Sequence, residues 1–202
     1  LVELGIVAQA TGAATAGAPF LTTGYGVACA LLAAGAGAEW LPKLASGEAK
    51  GAIAFAEGNC VLSDAPRCAF ANGAVSGRKP GVVGGMAADL VLVWAAQGAA
   101  PALVLVELAG VRRDPVPSYD NSRCHADLTF ERTPATLLAE GEAAQALALD
   151  LLARMAVVTA HEQVGGAEAL LYLARDYANT RKAFGQPIGA FQSVKHRLAE
   201  LY

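Results

Sequence analysis

From Glu142 to Asn179 a helical pattern runs without a proline, with Leu147/Leu151 and Leu170/Leu173/Tyr177 on helical spacings. At ~1.5 Å per residue such a helix approaches 60 Å. That is too long for a lone surface helix and suits a bundle or a subunit interface. Gly165–Gly166 in its middle costs helix propensity. A close helix–helix crossing is the expected reason for the pair.

The helical run is expected to continue from Asp176 to Ala183, with Arg181 and Phe184 on one face near its end. Gly185 is placed to stop it, and Pro187 prevents its continuation. Such an end presents a fixed cation beside an aromatic ring, a natural contact for a diphosphate and a flat heterocycle. The plainer alternative is an ordinary helix stop whose Arg complements the helix dipole.

Upstream the pattern differs. Residues 1–45 are rich in Ala, Gly and Leu and read as two or three helical pieces broken at Thr11–Gly12, Pro19 and Gly35–Gly37. From Lys50 to Arg132, short β-type runs (Gly51–Phe55, Asp89–Trp94, Ala102–Glu107, Ala126–Phe130) alternate with Gly, Pro, Asp and Asn turns. This is the pattern of a small antiparallel sheet domain. The chain is thus expected to be α+β: helical residues 1–49, a β domain over 50–132, and helices over 133–202.

The composition bears on partners. A formal net charge of −3 gives no electrostatic case for nucleic acid or an anionic membrane. Ala102–Val106 is short and Glu107 ends it, so no uninterrupted apolar run reaches membrane-spanning length. The opening Leu1–Val7 contains Glu3 and lacks the basic start of a signal peptide. Cys29, Cys60, Cys68 and Cys124 form no C-x-x-C or zinc-type cluster and read as free thiols of a cytoplasmic protein. His125, His161 and His196 are scattered, so no metal site is expected.

The stretch Tyr177 to Glu200, YANTRKAFGQPIGAFQSVKHRLAE, resembles the signature of the acyl-CoA dehydrogenase superfamily, in which R-x-x-F-G-x-P-I ends a long helix and F-Q-x-x-x-H-x-L-A opens the next. Glu39–Glu48 resembles the family's connector into its middle domain, K-x-x-L-P-x-L-A-x-G-E. The order of helices, small β domain and long helix also matches. The resemblance implies the central part of a member, and a fragment rather than a naturally truncated protein. It implies FAD as cofactor, an acyl-CoA substrate, an electron-transfer protein as acceptor, and a homo- or hetero-oligomer. Arg181, Phe184 and Gln192 match residues that reach the FAD of an adjacent subunit.

Two motifs depart from the family. Ala56-Glu57-Gly58-Asn59 stands where Thr-Glu-Pro-Gly is expected, and Ser63-Asp64 stands for a Ser-Asp pair displaced by one residue. Ser76–Val83 aligns with N-G-x-K-x-W-I-T, which puts Gly81 at the ring-stacking Trp and Val83 at the flavin-bonding Thr. Glycine offers no stacking surface and valine no hydroxyl. The chemistry needs a carboxylate base for the α-proton. In most of the family it is a Glu far downstream, beyond Tyr202; in a minority it lies on the long helix, at the position aligned with Met155, which cannot take a proton. Glu162 lies ~10 Å further along the axis and reads as a packing or ion-pair carboxylate. No catalytic residue is assigned.

An eroded ring pocket with kept donated contacts resembles one chain of a heteromeric acyl-CoA dehydrogenase. The alternatives are a catalytic flavoprotein subunit, a non-catalytic partner completing another chain's site, and a helical scaffold with no flavin link.

Overall fold

The computed structural model describes residues 2–120 and 122–202. By contact, the residues divide into two compact units. One is Gly17–Ala156; the other comprises the residues up to Ala16 together with Val157–Tyr202.

The larger unit begins with a π-helix, Leu21–Ala28, continued by α2 (Cys29–Ala33) and followed by α3 (Trp40–Ser46). The strands are β1 (Gly51–Ala54), β2 (Ala69–Ala71), β3 (Ala74–Val83), β4 (Leu90–Gln97), β5 (Ala100–Glu107), β6 (Arg112–Val116) and β7 (His125–Glu140). The four expected β-type runs correspond to β1, β4, β5 and β7. The last continues beyond Phe130 to Glu140, and Ala102–Val106 of β5 pairs with its far half.

β4 pairs antiparallel with β5 along one edge. Along its other edge it pairs first with β1 and then, at Ala96, with Ala69 of β2. The β2–β3, β3–β7 and β7–β5 ladders complete a ring. The sheet is therefore mainly antiparallel, but β1 and β2 run parallel to β4.

β4 explains the apolar run of its sequence, because both of its faces are covered. Val91, Val93 and Ala95 point into the core inside the ring, with Val104, Val106, Leu128 and Phe130. Leu90, Leu92 and Trp94 point outward into a second core with Val27, Leu31, Leu44 and Leu151. Thr23 ties the π-helix to the sheet, since its Oγ1 accepts a 3.0 Å hydrogen bond from the Gly51 amide.

The smaller unit holds α1 (Val2–Ala13), the second half of α4 (Gly141–Thr180), and α5 (Gln192–Leu201). The helix expected over Glu142–Asn179 is continuous. By length and composition alone α4 could cross a membrane, a measure that buried helices of other proteins also pass.

The break expected at Thr11–Gly12 does not occur, because α1 runs through both residues. Gly12 serves a crossing instead. A Cβ there would lie 1.8 Å from the Glu162 carbonyl oxygen of α4. A Cβ on Gly165 would likewise lie 1.9 Å from the Gln9 carbonyl oxygen. The glycine pair of α4 thus marks the close crossing expected of it.

Candidate cofactor site

The end of α4 differs from the expected continuous run to Ala183. The helix stops at Thr180, and the Arg181 amide makes its final turn bond to the Tyr177 carbonyl at 2.8 Å. Lys182–Ala183 (β8) then pairs antiparallel with Gln186–Pro187 (β9). Phe184 and Gly185 form the two-residue turn between them, with φ of 53° and 82°. Two consecutive left-handed residues are the requirement of a type I′ hairpin turn. Arg181 and Phe184 are therefore presented by a hairpin and not by one helix face. The Ile188 amide closes back on the Arg181 carbonyl at 2.8 Å. A 3₁₀ turn (Ile188–Ala190) then leads into α5, which Gln192 opens.

A left-handed conformation at a bulky residue is strained, and such strain concentrates at functional sites. Phe184 is nonetheless 96% exposed, with an edge-to-face contact to Phe191, ring centroids 6.2 Å apart. Arg181 and Gln192 are exposed as well. The Arg181 guanidinium makes no hydrogen bond or ion pair among the described residues. A cation without an anion and an aromatic held on a strained turn fit the diphosphate and ring of a dinucleotide.

The second part of the site is the wall expected to face a flavin ring. Between Lys79 and Val82 the β3–β7 register shifts: Lys79 lies opposite Leu128 and Val82 opposite Ala126. The extra residue makes a bulge at Pro80–Gly81. Gly81 has a φ of 60°, and its amide donates to Asp127 Oδ1 at 2.7 Å. Asp127 also pairs with Arg78. The Gly81 amide and then Arg78 hold the Asp127 carboxyl below its ordinary range. Position 81 thus lacks a stacking side chain and has a backbone conformation that disfavours one. A carboxylate occupies its amide, and Val83 adds no hydroxyl. These residues do not fit an isoalloxazine ring.

Behind this wall lies a pair that sequence reasoning missed. Glu57 stands at the Glu of the expected Thr-Glu-Pro-Gly, and Lys79 at the Lys of N-G-x-K-x-W-I-T, but the sequence assigns neither a partner. Lys79 is fully buried; its Nζ donates to Glu57 Oε1 at 2.6 Å and to the Phe55 carbonyl at 3.2 Å. Glu57 Oε2 accepts the Arg67 amide at 2.7 Å, and Oε1 the Cys68 amide at 3.3 Å. One carboxylate thereby organises the loop from Phe55 to Cys68. Burial pushes the Glu57 carboxyl up, but its bonds from Lys79 and the Arg67 amide outweigh this and hold it low. Burial lowers Lys79 against the pull of Glu57, and it raises the adjacent Cys68 thiol to about 11. The available signal was register: Lys79 falls at an inward position of β3, between buried Val75 and Val82.

Ser63 is absorbed locally. Its hydroxyl accepts the Ala65 amide at 3.1 Å, and its carbonyl accepts Trp94 Nε1 at 2.8 Å. Met155 and Glu162 both lie on α4, seven positions apart, and the backbone at Glu162 is occupied by the α1 crossing.

Residues 142–202 match the C-terminal domain of acyl-CoA dehydrogenases. The whole chain is 32% identical over 202 residues to acyl-CoA dehydrogenase IpdE2 of Mycobacterium tuberculosis, covering 52% of that protein. It is 31% identical over 206 residues to acyl-CoA dehydrogenase FadE28 of the same organism, covering 59%. The chain belongs to the acyl-CoA dehydrogenase superfamily. It spans about half the length of these curated relatives.

Among solved structures, the Tcur3481–Tcur3483 steroid ACAD G363A variant superposes with a TM-score of 0.80 at 28% identity, over 98% of this chain and 55% of that one. Glutaryl-CoA dehydrogenase of Mycobacterium smegmatis gives a TM-score of 0.86 at 22% identity, over 99% and 56%, a likeness of fold alone. The ChsE4–ChsE5 complex of Mycobacterium tuberculosis gives 0.83 at 24%, over 98% and 55%, again a likeness of fold.

Proposed function

We propose that this acyl-CoA dehydrogenase family chain is a subunit of a heteromeric, FAD-dependent enzyme that desaturates an acyl-CoA thioester at the α,β position. In this reading Arg181, Phe184 and Gln192 reach a FAD whose ring is seated on another chain. The supporting observation is the contrast between two sites. The hairpin offers a guanidinium without a partner among the described residues and an exposed Phe184, whereas the bulge at Gly81 carries no stacking side chain and its amide is bonded to Asp127.

Bound FAD would supply the acceptor for the hydride leaving the β-carbon, with an electron-transfer protein as the final acceptor, and Arg181, Phe184 and Gln192 would be the residues of this chain that hold it. Arg181 supplies a charge-assisted contact to the diphosphate, and Phe184 covers a flat surface. Met155 carries no titratable group, so the α-proton goes to a carboxylate elsewhere in the assembly. The Tcur3481–Tcur3483 relative, named as two components, supports a hetero-oligomer. Membership of the acyl-CoA dehydrogenase superfamily supports the cofactor.

The test compares the full-length protein expressed alone with the same protein isolated together with its native partners. The expected result is a colourless chain alone and a yellow, acyl-CoA-oxidising assembly. A chain that is yellow alone and reduces an acceptor with acyl-CoA would support the second reading, a homomeric catalytic subunit. A ring packed on residues 81–83 of this chain in a holo structure would overturn the proposal.

A further inference from the structure

The ring of Phe184 stands almost wholly in solvent at the tip of the β8–β9 hairpin. A side chain without walls around it keeps its rotamer freedom, and fixing it against a ligand costs that entropy. A ring held before the ligand arrives avoids the cost. Phe191 is placed to hold it. The two ring planes stand at 89°, the edge-to-face arrangement that aromatic pairs prefer.

Phe191 is itself fixed through its backbone. Its amide donates to the Ile188 carbonyl at 3.2 Å, and its carbonyl accepts the Val194 and Lys195 amides at 3.1 and 3.0 Å. The 3₁₀ turn before it lies against the last turns of α4. A Cβ on Gly189 would sit 3.1 Å from the carbonyl oxygen of Ala178, which is buried. The turn therefore has little room to shift, and Phe191 is carried on a firm base.

The residue type at position 191 is also a poor choice for the helix it opens. Phe191 is the N-cap of α5, and no side chain caps that helix. Ser, Thr, Asp or Asn there would satisfy one of the free amides, which an aromatic ring cannot do. Phe184, for its part, occupies a left-handed backbone conformation that bulky residues avoid. Each of these two residues breaks a local rule, and their rings meet. Local rules give way where a site needs the side chain more than the fold does.

We propose that Phe191 is a positioning residue whose ring holds the Phe184 ring ready for FAD. The inference rests on the reading above, in which the hairpin reaches a FAD seated on another chain.

The full-length protein, isolated with its native partners and stripped of flavin, is titrated with FAD, and the change in flavin fluorescence gives Kd. Phe191→Leu keeps apolar volume and removes the ring. It is expected to raise Kd about fivefold, the scale of one edge-to-face aromatic pair, with Tm nearly unchanged. Phe191→Tyr keeps the ring and should bind FAD like wild type. In a Phe184→Ala background, which weakens binding by itself, Phe191→Leu should cost nothing further. Wild-type affinity in Phe191→Leu beside weakened binding in Phe184→Ala would overturn the inference and leave the flavin reading standing. An equal loss from Phe191→Leu in both backgrounds would also overturn it, because Phe191 would then act on the fold and not through Phe184. Wild-type affinity in both Phe184→Ala and Arg181→Ala would overturn the inference and the flavin reading together.

Discussion

Arg181 carries a charge that no ion pair or hydrogen bond neutralises among the described residues, so its removal should separate binding from folding. A guanidinium–diphosphate contact contributes roughly 1.5–3 kcal/mol, whereas an exposed helix-end Arg contributes well under about 1 kcal/mol. Arg181→Ala is expected to lower the FAD retained by the assembly, read from absorbance after gel filtration, and to leave Tm nearly unchanged. Full flavin content beside a lowered Tm would favour a purely structural arginine. Phe184→Gly offers a converse test. It relieves a left-handed backbone at a bulky residue, worth on the order of 1 kcal/mol, so the fold should hold or gain while flavin retention falls. The buried pair behind β3 should respond in the opposite way. Lys79→Met leaves the Glu57 carboxylate uncompensated and should cost about 3–5 kcal/mol in urea unfolding. The stability that Glu57 contributes is full above the unfolded carboxylate value of about 4.3 and is lost as pH falls through its lowered folded value. The unfolding midpoints of wild type and Glu57→Gln should accordingly differ by a constant amount above about pH 4.3 and converge as pH falls below it. At this scale the sequence was partly legible. Arg181, Phe184 and Gln192 stand in a recognisable spacing, but Lys79 was passed over because lysine is almost never fully buried unless paired, and its partner lies 22 residues away.

The two glycines of α4 look alike in sequence and should behave oppositely. A Cβ on Gly165 would enter the Gln9 backbone at 1.9 Å, whereas one on Gly166 would sit at an ordinary 3.5 Å from the Gly12 carbonyl. Gly165→Ala is expected to destabilise by about 1–3 kcal/mol through overpacking. Gly166→Ala should be neutral or stabilising by up to about 1 kcal/mol through helix propensity. Equal thermal shifts for the two variants would mean that the α1–α4 crossing is not built this way. Long, strongly periodic α4 was legible almost to the residue. Its end was not, because Tyr177–Ala183 has helix-compatible residues and the stop is set by a hairpin whose turn takes Phe184 where Asn is usual. Gly12 was misread for a related reason. A glycine signals either a break or a close approach, and only the partner helix decides between them.

At the scale of the whole molecule, α+β order and the apolar two-faced strand β4 were readable from pattern. Ring closure of the sheet was not, because it depends on the short β2, which meets β4 at one residue pair. In the smaller unit the apolar residues Val164, Leu170, Leu173 and Tyr177 of α4 stay exposed. If that surface is covered in an assembly, Leu170→Glu combined with Leu173→Glu should shift the purified complex to smaller species in sedimentation without loss of helix content. Unchanged sedimentation would place the interface elsewhere. The ring also bears on how copies of the chain meet one another. Exposed sheet edges recruit other strands and seed aggregates. Here most strands are paired on both sides. Of the two strands at the margin, β1 is only four residues long, and β6, Arg112–Val116, carries charged side chains and a proline. A newly made chain therefore offers other proteins little to polymerise with strand by strand. The exposed apolar residues of α4 are helical, so self-association through them should take the form of clumping rather than fibres.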